Sequence, residues 1–419
     1  MEQSDPALER FDRLRVRKVG TGYDDTASAI LAEFQSTAAN LEPDERIELA
    51  VYNGVESLKT VLADPQANKI CALHWRYDGK EDVSSIVPLL INNCPELVSL
   101  RAAFNRHFAF DFVSSVLEHP SNKLKVLEML PNTKGDSARF FAALGQSQVS
   151  ALALYYSPEV AQGLHEYLAR DLLVRLKVFM GNRQVPSAMM MSLAKCTSLI
   201  QLKWTFGYFP RSAAFTLPKS LIKLELSFCR FVGGFDWSFL AGSNVRELDL
   251  HDVRGDDGNQ LGSALADYLR AKGLDRLHCS RCDFADETLA KVGVEIGRVK
   301  RLKITSSVND TSVAQIALAL KSPNSELREL VLPYDDSTES SIENLLMPAL
   351  KHPNCNLVKL SFRTFEPEHK EAARRVNYTF CNRLALFALS QGKQVRRRSP
   401  CPLRRLPVEM LRLVGAALI

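Results

Sequence analysis

The chain has 419 residues, 46% of them apolar and 24% charged, with a formal net charge of +5. These values fit a folded globular protein and argue against disorder throughout, a collagen-like chain or a membrane protein. At this length a single compact core is not expected. The alternatives are two or three domains or one extended repeat array.

Charge is unevenly placed. Residues 351–419 hold 14 Lys/Arg against 4 Asp/Glu, or +10, which leaves −5 for the first 350 residues. A nucleic-acid-binding reading therefore has to rest on the C-terminal part. No stretch reaches the ~18 unbroken apolar residues of a membrane helix. The opening MEQSDPALERF lacks the basic-then-apolar order of a secretory signal. The nine cysteines are then expected to be reduced thiols of an intracellular protein.

Along the chain, residues 26–37 and 46–63 read as helical, with Ile47 and Leu49 as candidates for a degenerate strand. From Ile70 a short pattern, apolar-x-x-Leu-x-apolar, recurs. Its first residues are Ile70, Leu97, Leu124, Val149, Leu173, Leu199, Leu221, Val245, Leu274, Val299, Leu327 and Leu357. These are twelve copies, and Leu97 has only Ala102 at the last position. Counting each first residue as position 0, positions 3 and 5 should point to one face of a strand, because side chains alternate. Helices are expected between copies. Leu261, Leu265 and Leu269 follow Val245 at helical spacing; so do Val313, Ile316, Ala317 and Leu320 after Val299, and Ile342, Leu345, Leu346 and Ala349 after Leu327. The copy from Leu199 has two prolines in TFGYFPRSAAFTLPKS and little room for a helix. Val376, Phe380, Leu384 and Phe387 define one face of a closing helix, after which comes GKQVRRRSPCPLRR, a basic, proline-broken linker.

LIKLELSFCRF (221–231) and LDRLHCSRCDF (274–284) carry the longer form of the pattern, with Cys229 and Cys282 at position 8; Asn105 and Asn132 hold that place in two other copies. The chain here resembles the leucine-rich-repeat family, L-x-x-L-x-L-x-x-N/C-x-L. Its helical inserts make it look most like the ribonuclease-inhibitor-like class. The resemblance implies an α/β solenoid, a curved horseshoe with parallel strands inside and helices outside. The expected organisation is a helical N-terminal cap over 1–69, with room for a degenerate first repeat. An array of about 12 units follows over 70–366, then a capping helix over 367–390. Residues 391–419 are the basic linker and a terminal amphipathic helix.

Cys279-x-x-Cys282, near His251 and His278, invites a zinc or redox reading. Positions 5 and 8 of a repeat already account for both cysteines, and no second pair stands at metal-ligand spacing. GTGYDD (20–25) lacks the third glycine of a dinucleotide fingerprint, and His165-Glu166 lacks the second histidine of a zinc-protease helix. No catalytic motif is found, so neither enzymatic activity nor a cofactor is expected. The Arg396-Arg397-Arg398 run reads as a solvated linker, with an import signal or a phosphate-binding arm as the alternatives. Without aromatic interleaving, base stacking has no support and nucleic acid is not the expected partner. The expected compartment is the cytoplasm, with the nucleus as the alternative through that run. LPVEMLRLVGAAL (406–418) resembles the opening of an F-box, through Leu406, Pro407, Glu409, Leu411 and Leu418. That resemblance implies recruitment of ubiquitin-ligase subunits by a substrate adaptor; a short amphipathic helix folded onto the array is the alternative.

Leucine-rich arrays bind partners through the strand face, as the resemblance implies, and the variable residues there occupy positions 2, 4, 6 and 7. They run as an aromatic band of Tyr155, Tyr156, Phe179, Phe206 and Phe228, with Arg175, Lys177 and Lys203 among them. An acidic stretch of Glu247, Asp249 and Asp252 with His251 follows, then basic Arg276, Arg281, Arg301 and Lys303. Aromatics with arginine nearby favour a protein interface. A non-catalytic scaffold for another protein is the expected function.

Overall fold

The computed structural model describes residues 15–363, except 21–25, 53, 78–82, 105–108, 130–134, 211–215, 233–235, 256–257, 283–284, 307 and 335. The expected capping helix, the arginine run and the F-box-like segment lie outside the described residues. So do Asn105 and Asn132.

The chain divides into two units, residues 1–222 with 242–244, and residues 223–241 with 245–419. In the first unit, strands β1 (Arg15–Gly20), β2 (Glu45–Tyr52), β3 (Ile70–Tyr77), β4 (Ser99–Phe104), β5 (Val126–Met129), β6 (Ala151–Tyr155), β7 (Arg175–Gln184) and β8 (Gln201–Phe209) follow in chain order. Each pairs in parallel with the next. The second unit holds β9 (Lys223–Ser227), β10 (Arg230–Phe231), β11 (Glu247–His251), β12 (Arg254–Gly255), β13 (Leu274–Ser280), β14 (Val299–Ile304), β15 (Glu329–Pro333) and β16 (Lys359–Arg363). There β9, β11, β13, β14, β15 and β16 form a parallel ladder, and the two-residue strands β10 and β12 pair beside it.

The ladder register is the register of the sequence pattern. Position 3 meets position 3 in Leu73↔Leu100, Leu100↔Leu127, Leu152↔Leu176 and Leu176↔Leu202. In the second unit the same row reads Leu224↔Leu248, Leu248↔Leu277, Leu277↔Leu302 and Leu302↔Leu330. A one-residue slip would turn every leucine to the solvent face. The residues at positions 0, 3 and 5 of all twelve copies are buried, except Phe362 in the last, which is half-buried.

At six junctions between copies the backbone is joined the same way. The carbonyl at position 1 accepts the amides at positions 1 and 2 of the next copy. Val98 O takes Lys125 N and Val126 N at 2.8 and 3.1 Å; Arg246 O takes Asp275 N and Arg276 N at 2.8 and 3.1 Å. Parallel strands need a long crossover, and helices supply it. Residues Pro158–Leu168 turn Val160, Leu164, Tyr167 and Leu168 inward, and Tyr167 donates to Val149 O at 3.1 Å, the position 0 carbonyl of its own copy. Tyr268 does the same to Val245 O in the second unit. The helix Asp310–Lys321 buries Val313, Ile316, Ala317 and Leu320 as their spacing requires, and Asn309 caps it by accepting from Ser312 N at 2.9 Å. No helix occurs among the described residues between β8 and β9. Each unit is therefore an α/β leucine-rich-repeat solenoid.

Three expectations need correction. Residues 46–52 lie in β2, the strand that the alternative reading of Ile47 and Leu49 gives, and not in a helix over 46–63; the helix is Val55–Leu62. A further strand, β1, precedes it, with Val19 opposite Leu49. Leu345 is 38% exposed, although Ile342, Leu346 and Ala349 are buried. Residues Ile342–Leu346 form a π-helix, whose wider turn rotates Leu345 off the face that a 3.6-residue period assigns to it.

Candidate functional site

In the first unit, Tyr155 and Phe179 stand at position 6 of neighbouring strands, in register across β6 and β7. Both are half-buried. β7 then shifts register between Phe179 and Arg183, with Gly181 and Asn182 at φ 57° and 61°. A Cβ on Gly181 would lie 1.9 Å from the Tyr155 hydroxyl, so glycine is needed both for the left-handed backbone and for the ring above it. Tyr156 is not on the accessible face. It is 6% exposed, its amide donates to Phe179 O at 2.8 Å, and burial pushes its phenol up.

The position 4 row carries a charge bridge. Glu128, Ala153 and Lys177 are in register on β5, β6 and β7, and Lys177 Nζ reaches Glu128 Oε1 at 3.1 Å. The bridge spans two strand spacings, about 10 Å, and Ala153 is small enough to lie beneath it. Arg101 adds a second contact to Glu128 at 3.6 Å, and the Lys177 ammonium sits 4.5 Å from the centroid of the Phe179 ring. Arg175 is half-buried at position 2, and Phe206, at position 7, is 39% exposed.

In the second unit the position 4 row is Glu225, Asp249, His278 and Lys303, aligned strand to strand. Asp249 is 7% exposed, so it is a covered carboxylate rather than an open acidic surface. Arg276 Nε lies 3.2 Å from its Oδ1 and Lys223 Nζ 3.8 Å from its Oδ2. Burial nevertheless outweighs these cations and raises its pKa. His278 Nδ1 is 3.8 Å from Asp249 Oδ1. Desolvation, and then Lys303 and Arg276, push the imidazole down to about 4, so it is neutral at physiological pH. Glu247 accepts from Arg301 at 2.9 Å across β13. Phe228 is 38% exposed and meets the His251 ring edge-on at 5.0 Å. Asp252 pairs with Arg254 at 3.1 Å, and Arg281 is exposed.

Position 7 has a property that alternation does not reveal. Phe206, Phe228, Asp252 and Arg281, in four successive copies, all have left-handed φ, from 47° to 57°. Phe228 N donates to His251 O and Asp252 N to Ser280 O, each at 2.7 Å, so the residue after the strand bonds sideways to position 6 of the next copy. Such φ values are uncommon for any non-glycine residue, and a bulky side chain there marks a tight turn or strain.

The cysteines serve the turns. Cys229 donates to Ser227 O at 3.4 Å; Cys282 donates to Ser280 O and Leu250 O, both at 3.5 Å. Position 8 thus bonds the carbonyl two residues back. Cys279 is buried, and desolvation raises its thiol well above its ordinary value. Purified protein is expected to contain no stoichiometric zinc by elemental analysis. One zinc per chain, lost in Cys282→Ser, would overturn the structural reading of these thiols.

Of the thirteen residues picked out by position, the first unit holds Tyr155, Tyr156, Arg175, Phe179 and Phe206, and the second holds the other eight. Tyr156 and Asp249 are buried; the rest are half-buried or exposed. Lys223, Glu225 and His278 belong to the same face and were passed over, although positions 2 and 4 mark them as plainly as their neighbours.

No family model matches the sequence, and no curated protein matches it. Among solved structures, the plant peptide hormone receptor RGFR1 in complex with RGF2 is similar at 12% identity and a TM-score of 0.31. The match covers 76% of this chain and 51% of that chain, so this chain spans about half the length of that receptor structure. No described helix is long and apolar enough to cross a membrane. The class defined by the strands and their register is the leucine-rich-repeat solenoid.

Proposed function

We propose that the chain is a non-catalytic scaffold of the ribonuclease-inhibitor-like class that binds another protein through its strand face. One observation carries this reading: the left-handed position 7, which leaves Phe206 exposed in the first unit and Phe228 exposed in the second. Left-handed backbone is unfavourable for a residue with a Cβ, and unusual conformations held by the surrounding structure cluster at binding sites. Glycine would fill either turn at lower backbone cost. An exposed phenylalanine at such a position suits a partner that covers it, since a few central aromatics dominate interface energetics.

Phe206→Ala and Phe228→Ala are expected each to weaken capture of the main bound protein by about thirtyfold, or ~2 kcal/mol, at an unchanged thermal midpoint. Leu318→Ser, on the helix side and 49% exposed in the wild type, should leave capture intact. Normal capture by both phenylalanine variants, with loss in Leu318→Ser, would place binding on the helices instead.

A further inference from the structure

Strands β13 and β14 present a surface rich in cations. On the face turned away from the helices they carry Arg276, His278, Arg301 and Lys303, with Arg281 in the turn that follows β13. No carboxylate shares those positions on the two strands. Two of the cations are matched from β11, Arg276 by Asp249 at 3.2 Å and Arg301 by Glu247 at 2.9 Å. Arg281 and Lys303 make no ion pair among the described residues. The ladder gives the reason for Lys303: its row neighbours are His278 on one side and Val331 on the other. Beside it, His278 Nε2, Thr305 Oγ1 and Ser306 Oγ are buried without a hydrogen-bond partner. Buried polar groups are ordinarily paired, so each such atom calls for an explanation.

We propose that β13 and β14 of the second unit bind an acidic polypeptide segment, whose carboxylates pair with Lys303 and Arg281. This rests on the reading of the strand face as the binding surface and names the chemistry of what binds there. A polypeptide fits better than a nucleic acid for a geometric reason. The basic strip is two strands wide, and Glu225, Glu247 and Asp252 lie on β9, on β11 and in the turn after it. An unbroken run of phosphates laid across the ladder would meet those acids. Discrete carboxylates within a peptide can be placed on the cations alone, and like charges set against a partner are what exclude the wrong one.

The test uses the full chain and a fluorescein-labelled peptide of alternating Glu and Ser, read by fluorescence anisotropy at low salt. The wild type should bind it, more weakly as salt rises. The double variant Arg281→Glu, Lys303→Glu should bind at least ~tenfold more weakly, and the milder pair Arg281→Met, Lys303→Met should shift affinity in the same direction at an unchanged thermal midpoint. Lys123→Glu, exposed in the first unit, should bind like the wild type. No binding by the wild type, or equal binding by the double variants, overturns the proposal. So does a thymidine oligonucleotide that outcompetes the peptide for the same residues. If the captured cellular protein depends on Phe206 and Phe228 but not on Arg281 and Lys303, only this charge assignment fails. If it depends on none of the four, the strand-face reading fails with it.

Discussion

Leu248→Ala is expected to destabilise the second unit by about 2–5 kcal/mol, the range for removing a fully buried leucine. Leu248 is 1% exposed at position 3 of β11, in register with Leu224 on one side and Leu277 on the other. Both neighbours are 0% exposed. Solenoid stability is approximately a sum of terms within and between adjacent copies, so a cavity at this place weakens two interfaces as well as its own copy. Phe362→Ala should cost less, because Phe362 is half-buried in the last described strand. Chemical denaturation measures the difference, with hydrogen exchange on β9, β11 and β13 locating it. Wild-type stability in Leu248→Ala would mean that the leucine row is not the core.

The array was legible because its buried positions repeat with one chemistry. Leucine or another apolar residue at positions 0, 3 and 5 fixes strand, face and register together, and the ladder then has one way to align. β2 was legible only as a degenerate strand through Ile47 and Leu49, because its spacing is one residue short: Ile47 pairs with Ile70 at position 0, the register shifts before Glu48, and Leu49 and Val51 then meet Leu73 and Trp75. The row at position 0 is still filled by a buried apolar residue, Ile47. β1 offers still less, with Val19 as its only buried residue among four described as exposed or half-buried. At Leu345 the assumed period was wrong, because the backbone there is a π turn.

The site was less legible, for a different reason. Alternation says which way a side chain points from a strand, and it stops where the strand stops. Tyr155 and Tyr156 are adjacent, yet the first ends the strand and the second begins the inward turn. Phe206 and Phe228 also follow the alternating stretch, but at left-handed φ, and remain exposed. Nothing in the residue types distinguishes these cases. Burial of Asp249 was hidden too, since it depends on long side chains from β9 and β13 covering a neighbour.

Through His278, stability is expected to fall by about 3 kcal/mol as pH is lowered from about 6.5 to about 4. The unfolded imidazole takes its proton near its ordinary value of about 6.5, whereas the folded one waits until about 4. In that window the unfolded chain binds more protons, so lowering the pH favours unfolding, by up to about 1.4 kcal/mol per pH unit. Asp249 works the other way. Its raised pKa means that the folded carboxylate is protonated before the unfolded one, which offsets part of the loss at the acid end. The informative quantity is therefore the difference between the wild type and His278→Gln, which keeps Asp249, Arg276 and Lys303 in place. The variant should be less sensitive across the window, and NMR titration of the wild-type imidazole should place its midpoint well below 6. The opposite result has a definite meaning. If the Asp249 contact at 3.8 Å governed the imidazole, its pKa would lie above the ordinary value and the wild type would gain stability relative to His278→Gln on acidification. Desolvation with Lys303 and Arg276 nearby would then not be the dominant influence on this row, and Lys303 would face a charged neighbour rather than a neutral one.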